Sequence, residues 1–244
     1  MTSPTATPKL SDLKVKIFGD GADKAGIVEL SKNPYVKGFT TNPTLMRKAG
    51  ISDYEAFARD VLEAIPGYPI SFEVFADDNA EMLRQGKRIA TWGKDVYVKI
   101  PVSNTKRETT APVIRELSQG GVKVNVTALM TSAQVADVCR SLAGGAPACV
   151  SVFAGRVADT GRNPLPIMRE SLRIIAEYPG VELIWASPRE LLNIFEADSI
   201  GTHIITVTHD VLGKLGLVGK DLDEYSLDTV KMFASDAAKA GFAL

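Results

Sequence analysis

Short runs of β-branched and aromatic residues alternate along the chain with segments that have the apolar spacing of amphipathic helices. The runs predict eight strands, at residues 14–20, 36–42, 69–76, 95–102, 122–129, 148–156, 181–189 and 202–208. Intervening segments such as NAEMLRQGKRIATWG and TAPVIRELSQGG have helical spacing, and the second ends in a glycine pair suited to a helix stop. Successive strands begin roughly 20 to 35 residues apart, the length of a βα unit.

This alternation predicts parallel strands joined by helical crossovers, and eight units close a (β/α)8 TIM barrel. An open doubly wound sheet is the alternative, but FGDGADK, after the first strand, is not a glycine-rich dinucleotide-binding turn. We therefore predict an α/β protein with one barrel domain over residues 13–244. A flexible tail at residues 1–12 precedes it, and an extra C-terminal helix begins near residue 220.

Composition and charge narrow the class of protein. The chain has 244 residues, 45% of them hydrophobic, and a formal net charge of -1, which argues against nucleic acid or an anionic membrane as a partner. No apolar run approaches a membrane span, and the N-terminal segment lacks the apolar stretch of a signal peptide. Cys139 and Cys149 lack metal-ligand or redox-motif spacing, so we expect reduced, buried thiols in a cytoplasmic protein.

Polar residues recur where the predicted strands end, which is where barrel enzymes build their active sites. These residues are Asp20, Thr41, Asn42, Glu73, Lys99, Asn125, Thr127, Ser151, Arg156, Ser187 and Arg189. The chain has two histidines and no HExxH motif, so we expect no catalytic metal and no cofactor. Arg156, Ser187 and Arg189 together offer two guanidinium groups and a hydroxyl to a phosphate.

Lys99 lies near the end of the strand DVYVKIPV, whereas the other strand lysines lie near strand beginnings. It is either a surface lysine that keeps its charge in water or an amine that the chemistry needs in a dry place. An apolar barrel interior would favour the uncharged amine, which forms a Schiff base with a ketone. The protonated nitrogen of that Schiff base then accepts electrons when a nearby carbon–carbon bond breaks or forms.

Five stretches resemble the transaldolase family, Schiff-base-forming class I aldolases on a (β/α)8 barrel. They are GFTTNPTLM, VYVKIPV, VNVTALMTSAQ, SVFAGRVADTG and WASPRE, and they follow the family's order across roughly residues 14–215. The chain's length is near that of the compact subfamily, which includes fructose 6-phosphate aldolase. The resemblance implies sugar-phosphate substrates and a place in carbohydrate metabolism such as the pentose phosphate pathway, and we also expect a homo-oligomer.

Residue roles carry over from this resemblance by position. It implies that Lys99 forms the Schiff base, that Asp20 is the acid/base at the donor's C4 hydroxyl, and that Glu73 with Thr127 activates the catalytic water. It further implies that the donor and its phosphate are bound by Thr41, Asn42, Asn125, Ser151, Phe153, Arg156, Ser187 and Arg189. Two positions depart from the family pattern: Pro188 stands where an aromatic residue is usual, and Gly21 where threonine is common, which makes Asp23 a substitute candidate for Asp20.

Several candidates also have structural interpretations. Asn42 before Pro43 is a favourable helix N-cap, and Asn125 and Thr127 could be satisfied by neighbouring strands. Glu73 could pair with a surface lysine, and Arg189 could pair with Glu190 on a helix surface. We expect His209, near the end of the last strand, to be structural.

Three functions remain open at this point. The first is a transaldolase, which moves a dihydroxyacetone unit from sedoheptulose 7-phosphate or fructose 6-phosphate to an aldose phosphate. The second is an aldolase that releases free dihydroxyacetone, although Glu73 and Phe153 favour transaldolase because those aldolases carry Gln and Tyr there. The third is a sugar-phosphate-binding barrel without turnover, which would have no use for an isolated interior amine.

Overall fold

A closed barrel of eight parallel strands forms the centre of the protein, whose computed structural model describes residues 9–241. Each strand pairs with its sequence neighbours, and the last strand pairs with the first. The strands are β1 Lys16–Asp20, β2 Val36–Thr40, β3 Ile70–Glu73, β4 Val96–Pro101, β5 Val124–Leu129, β6 Ala148–Val152, β7 Val181–Trp185 and β8 Ile204–Thr208. The predicted (β/α)8 barrel is therefore confirmed.

Helices follow every strand and cover the outside of the barrel. Within residues 9–241 they are α1 Lys24–Ser31, α2 Pro43–Lys48, α3 Tyr54–Ala64, α4 Asn79–Ala90, α5 Ala111–Gln119, α6 Ser132–Leu142, α7 Ala154–Asp159, α8 Leu165–Ile175, α9 Leu192–Ser199, α10 His209–Leu212 and α11 Leu222–Ala240. Short 3-10 helices occupy Leu10–Asp12 and Leu215–Leu217. The predicted C-terminal helix is α11, whereas residues 1–8 of the predicted tail lie outside the described part of the chain.

Side-chain caps fix where several of these helices begin. The Asn42 side chain accepts a hydrogen bond from the backbone N–H of Leu45, with Pro43 at the first helical position of α2. Thr131 and Gln134 form a reciprocal capping box at the start of α6. Such caps satisfy backbone N–H groups that have no partner within the helix, so they stabilise the short βα loops at the carboxyl ends of the strands.

Buried side chains form two apolar layers, one between strands and helices and a smaller one inside the barrel. The inner layer consists of Phe18, Cys149, Ile184, Ala186 and Ile204. Gly38 makes room for it, because a Cβ atom there would lie 2.6 Å from the ring of Phe18. We call this inner layer the barrel floor, since the cavity described below lies above it.

Five strands end earlier than the sequence pattern predicts: β2, β3 and β4 by one to three residues, and β6 and β7 by four residues each. Strand β6 ends at Val152 because Phe153 leaves the extended conformation and α7 begins at the next residue. Strand β7 ends at Trp185, and Ser187 just beyond it has a φ of +60°, which an extended strand cannot contain. The early ends of β6 and β7 lie beside the candidate site.

The remaining expectations concern the cysteines and membrane association. Cys139 in α6 and Cys149 in β6 are buried free thiols, and burial raises the pKa of each to about 12. None of the helices in residues 9–241 is long and apolar enough to cross a membrane.

Candidate active site

A cavity of about 460 Å³ opens at the carboxyl ends of the strands, above the barrel floor. Among the residues that line it are Asp20, Asn42, Glu73, Lys99, Thr127, Ser151, Phe153, Arg156, Ser187, Pro188 and Arg189. Asp20 and Arg189, 169 positions apart in the sequence, thus meet in one place, as the barrel prediction requires. Thr41 and Asn125 do not line the cavity, because both are fully buried behind its wall.

Lys99 is buried on β4, with 6% of its surface exposed. Its Nζ donates a hydrogen bond to the carbonyl oxygen of Thr41 at 3.0 Å and lies 3.2 Å from Oε2 of Glu73. Glu73 and Lys99 are register partners on adjacent strands, so the barrel itself places the carboxylate beside the amine. Lys99 is therefore buried, as the alternative of an interior amine requires, and its charge is balanced by the carboxylate of Glu73.

Asp20 ends β1 and faces the same cavity. One of its oxygens accepts a hydrogen bond from the Thr40 hydroxyl at 2.7 Å. Burial raises the pKa of Asp20 above its ordinary value, while the charge of Lys99 and the Thr40 hydrogen bond act in the opposite direction. A carboxyl group whose charged form is disfavoured in this way readily takes up a proton, as an acid/base group must.

Glu73 does not pair with a surface lysine, the structural alternative considered above, because its cationic partner is Lys99. The backbone carbonyl of Glu73 accepts a hydrogen bond from the Tyr54 hydroxyl at 2.8 Å, which fixes the end of β3. The side chain of Glu73 is 16% exposed, so its carboxylate reaches the cavity from a fixed position.

A buried chain of polar groups supports the wall around Lys99. Asn125 donates from Nδ2 to the Ser71 hydroxyl at 3.0 Å, and its Oδ1 accepts from the Ser151 hydroxyl at 2.7 Å. Asn125 is fully buried, and Ser151 lines the cavity next to it. The side chain of Thr41 donates to the Ser71 carbonyl at 2.9 Å, so Thr41 presents its own carbonyl, not its hydroxyl, to Lys99.

Strand β5 is irregular where it reaches the cavity. Its register with β6 shifts between Val126 and Leu129, and Ala128 has a φ of +67°, a costly conformation for a residue with a side chain. Thr127, just before it, has a buried hydroxyl without a hydrogen-bond partner in the described chain. Such bulges occur next to active sites, and this one lies where Thr127 lines the cavity.

The predicted phosphate-binding groups line the cavity together, from α7 and from the segment after β7. Arg156 on α7 packs over the ring of Phe153, with 5.1 Å from Cζ to the ring centroid. Ser187, Pro188 and Arg189 line the cavity from the segment after β7, so Pro188 is part of the wall despite its departure from the family pattern. The predicted alternative of an ion pair from Arg189 to Glu190 is wrong, since Arg189 pairs with Asp159 of α7.

Asn42 meets both interpretations that the sequence left open, as a helix cap and as a residue of the candidate site. It lines the cavity and at the same time caps α2. His209 packs against α1, where a Cβ atom on Gly26 would lie 2.2 Å from its ring, in keeping with a structural role. Asp23 caps α1 by accepting from the Gly26 N–H at 2.8 Å, so it is engaged outside the cavity and Asp20 stays the acid/base candidate.

Sequence reasoning missed several polar residues that line the cavity, namely Thr40, Thr44, Thr206 and Thr208. Thr206 and Thr208 are two apart on β8 and pair in register with Phe18 and Asp20 of β1. Their period-two spacing was the signal that could have found them, because alternate residues of a strand share a face. Among the described residues, no group of three or more His, Cys, Asp or Glu side chains could hold a metal ion.

Fold and site together define a (β/α)8-barrel enzyme that holds one buried amine and two carboxylates in a cavity at the carboxyl ends of its strands. Comparison with known sequences identifies the enzyme family. The chain belongs to the Transaldolase/Fructose-6-phosphate aldolase family, whose sequence model matches residues 17–244. The resemblance and the transaldolase-type class of enzyme, a transferase, are thereby confirmed.

Curated relatives with the name "Probable transaldolase" span most of the chain. The protein from Dehalococcoides mccartyi is 37% identical over 199 residues, which cover 81% of this chain and 88% of that one. The protein from Thermoanaerobacter sp. is 31% identical over 228 residues, which cover 93% and 99%.

Solved structures with low sequence identity share the fold alone. A 2,3-dimethylmalate lyase structure aligns with a TM-score of 0.55 at 13% identity, covering 96% of this chain and 86% of that one. The structure of KGPDC from Streptococcus mutans gives 0.56 at 12% identity, covering 83% and 91%.

Proposed function

We propose that the protein transfers a dihydroxyacetone unit from a ketose phosphate to an aldose phosphate through a Schiff base on Lys99. The donor would be sedoheptulose 7-phosphate or fructose 6-phosphate, as in the pentose phosphate pathway. One observation supports the proposal most strongly. Among the described residues, Lys99 is the one charged residue that is classed as buried, and its amine faces both the cavity and Glu73. Burial of a lysine costs several kcal/mol, which a purely structural position would avoid.

The first half of the reaction begins when the Lys99 ammonium passes a proton to Glu73, so that the neutral amine can attack the donor's ketone. Glu73 then returns this proton to the hydroxyl of the carbinolamine, which leaves as water held by Glu73 and Thr127 and gives a protonated imine. Asp20 then removes the proton of the C4 hydroxyl, the bond between C3 and C4 breaks, and its electrons pass to the imine nitrogen as an enamine. The raised pKa of Asp20 suits this step, because a more basic carboxylate is a better proton acceptor.

The second half runs the same chemistry in reverse on a new aldehyde. The enamine attacks the acceptor's carbonyl carbon, Asp20 returns the proton to the new hydroxyl, and water releases the product from Lys99. Asn42 and Ser151 would hold the hydroxyl groups of the dihydroxyacetone unit, and the buried Asn125 would position Ser151 through its hydrogen bond to that hydroxyl. Arg156, Ser187 and Arg189 would bind the phosphate, since guanidinium groups form charge-assisted hydrogen bonds with phosphate oxygens.

Release of free dihydroxyacetone is the competing outcome, because water can protonate and hydrolyse the enamine before an acceptor arrives. Phe153 favours transfer, since its ring lines the cavity and offers no hydroxyl that could hold water or donate a proton. The predicted homo-oligomer stays a prediction.

Borohydride trapping tests the Schiff base directly. Incubation with fructose 6-phosphate and borohydride should inactivate the enzyme and add the reduced donor's mass to the peptide that contains Lys99. The Lys99→Ala variant should fold but lose turnover by several powers of ten. Lys37→Ala is a matched control, because Lys37 is exposed and its Nζ bonds only the Pro34 carbonyl. A label on Lys37 or Lys123 instead of Lys99 would end the assignment.

A further inference from the structure

Helix α7 and the segment after β7 approach each other more closely than side chains would allow. A Cβ atom on Gly155 would lie 1.5 Å from the carbonyl oxygen of Ser187, so only glycine fits at this position. Ser187 itself has a φ of +60°, which turns its carbonyl toward α7. The Gly155 N–H donates to the carbonyl of Ala186 at 3.4 Å. The backbone of one phosphate-binding segment is thus seated directly on the helix that carries Arg156.

A second connection joins the same two elements at their outer end. Asp159, the last residue of α7, accepts hydrogen bonds from Nε of Arg189, at 3.0 Å, and from its Nη2. The backbone N–H groups of Arg189 and Glu190 both donate to Oδ1 of Asn193, at 2.8 and 3.2 Å. Arg189 is therefore held by its main chain and by its guanidinium, although the side chain is half exposed.

We propose that Gly155 and Asp159 are positioning residues for the phosphate-binding groups. Gly155 fixes the distance between Arg156 and Ser187, and Asp159 fixes the guanidinium of Arg189 at the rim of the cavity. Neither residue touches the substrate, and the inference rests on the proposed function for the identity of the phosphate ligand.

The charge of Asp159 makes the proposal testable, because the two possible roles of this residue predict opposite changes in phosphate affinity when it is removed. If Asp159 merely neutralised positive charge, its removal would strengthen the attraction of the site for phosphate. If Asp159 orients Arg189, its removal frees a long side chain, and phosphate binding weakens through the loss of an ordered charge-assisted contact.

The experiment compares Asp159→Asn and Gly155→Ala with the unmodified enzyme. Asp159→Asn should raise KM for fructose 6-phosphate by roughly tenfold, the size expected for one charged hydrogen bond, while kcat changes by less than about twofold. Gly155→Ala should raise KM by at least as much, because its Cβ forces the backbone of Ser187 away from α7. Asp159→Glu should recover much of the loss because it restores a carboxylate. Asp137→Asn is the matched control, since it breaks the exposed pair with Arg140 on α6. Gly216→Ala is the control for the glycine, because no atom lies within 4 Å of a Cβ at that position.

Borohydride trapping with dihydroxyacetone, which has no phosphate, shows whether the effect is specific. Its rate should be unchanged in Asp159→Asn and Gly155→Ala. An unchanged or lowered KM in Asp159→Asn, or an equal loss of dihydroxyacetone trapping, would overturn the proposal. If the unmodified enzyme is not trapped at all, the Schiff-base proposal fails by itself. Calorimetric titration with inorganic phosphate then still decides the positioning role, which requires weaker binding in both variants.

Discussion

The ammonium group of Lys99 lies 3.2 Å from the carboxylate of Glu73, and the two side chains are only 8% and 16% exposed. Each group therefore balances the charge of the other at a position where little water can solvate either charge. Removal of one partner leaves the other uncompensated, which is the costly case for a buried ion pair. The pair thus ties the chemistry of the site to the stability of the barrel.

A double-mutant cycle should detect this connection. We expect Lys99→Ala and Glu73→Gln each to lower the free energy of unfolding at pH 7, and the double variant to lose less than the sum. The coupling should be about 0.5–3 kcal/mol, the range for residues in direct contact. Urea unfolding of the four proteins measures it, and strict additivity would show that the two charges do not compensate each other.

The raised pKa of Asp20 predicts a pH-dependent cost in stability. Below pH 3.8, its ordinary value, Asp20 is protonated in both the folded and the unfolded protein, so it carries no cost. As pH rises through the interval between 3.8 and the raised folded pKa, the folded state binds more protons and stability falls. We expect Asp20→Asn to raise the free energy of unfolding at pH 7 by about 0.5–2 kcal/mol while it abolishes turnover.

Unfolding measured at several pH values provides the control for this expectation. The stability advantage of Asp20→Asn should disappear as pH falls below 3.8. An advantage that stays constant with pH would assign the effect to packing and not to the carboxylate charge.

The two arginines of the phosphate site should differ in their effects. Arg156→Ala should raise KM for phosphorylated substrates by roughly 10- to 100-fold, because it removes a charge-assisted contact. Arg189→Ala should raise KM less than Arg156→Ala, because the side chain of Arg189 is half exposed, but at least as much as Asp159→Asn, because Asp159 acts only through Arg189. Unphosphorylated dihydroxyacetone as donor is the reference, and equal losses with both kinds of donor would remove Arg156 from the phosphate site.

Phe153 and Glu73 should control the balance between transfer and hydrolysis. The unmodified enzyme should favour transfer by at least roughly tenfold, a barrier difference of about 1.4 kcal/mol. Phe153→Tyr, alone or with Glu73→Gln, should increase the release of dihydroxyacetone from fructose 6-phosphate in the absence of an acceptor. Efficient release by the unmodified protein under these conditions would favour the aldolase alternative.

The sequence predicted the barrel, and the convergence of several candidate residues on one cavity, for a physical reason. Strand periodicity and βα spacing are local signals, and a closed barrel brings the ends of all strands to one rim, so Asp20, Glu73 and Lys99 had to converge. The register of β3 and β4, which sets Glu73 beside Lys99, is a contact between strands that strand periodicity alone does not give.

Contacts between distant segments could not be predicted from the sequence. Arg189 and Asp159 are 30 residues apart, and their pairing depends on the packing of α7 against the segment after β7. The early end of β7 likewise follows from the left-handed conformation of Ser187, for which the sequence offers no glycine as a signal. Glycine does mark the partner position, Gly155, but its reason is visible only in three dimensions.

The barrel floor has a kinetic consequence. Phe18, Ile184 and Ile204 are buried and pack together inside the barrel, so among the described residues they close the interior below Lys99. Under the proposed function, the aldehyde formed by cleavage of the donor must leave through the mouth by which the acceptor enters. The two aldehydes therefore occupy the same space in turn, and initial rates at varied donor and acceptor concentrations should give the parallel double-reciprocal lines of a ping-pong mechanism.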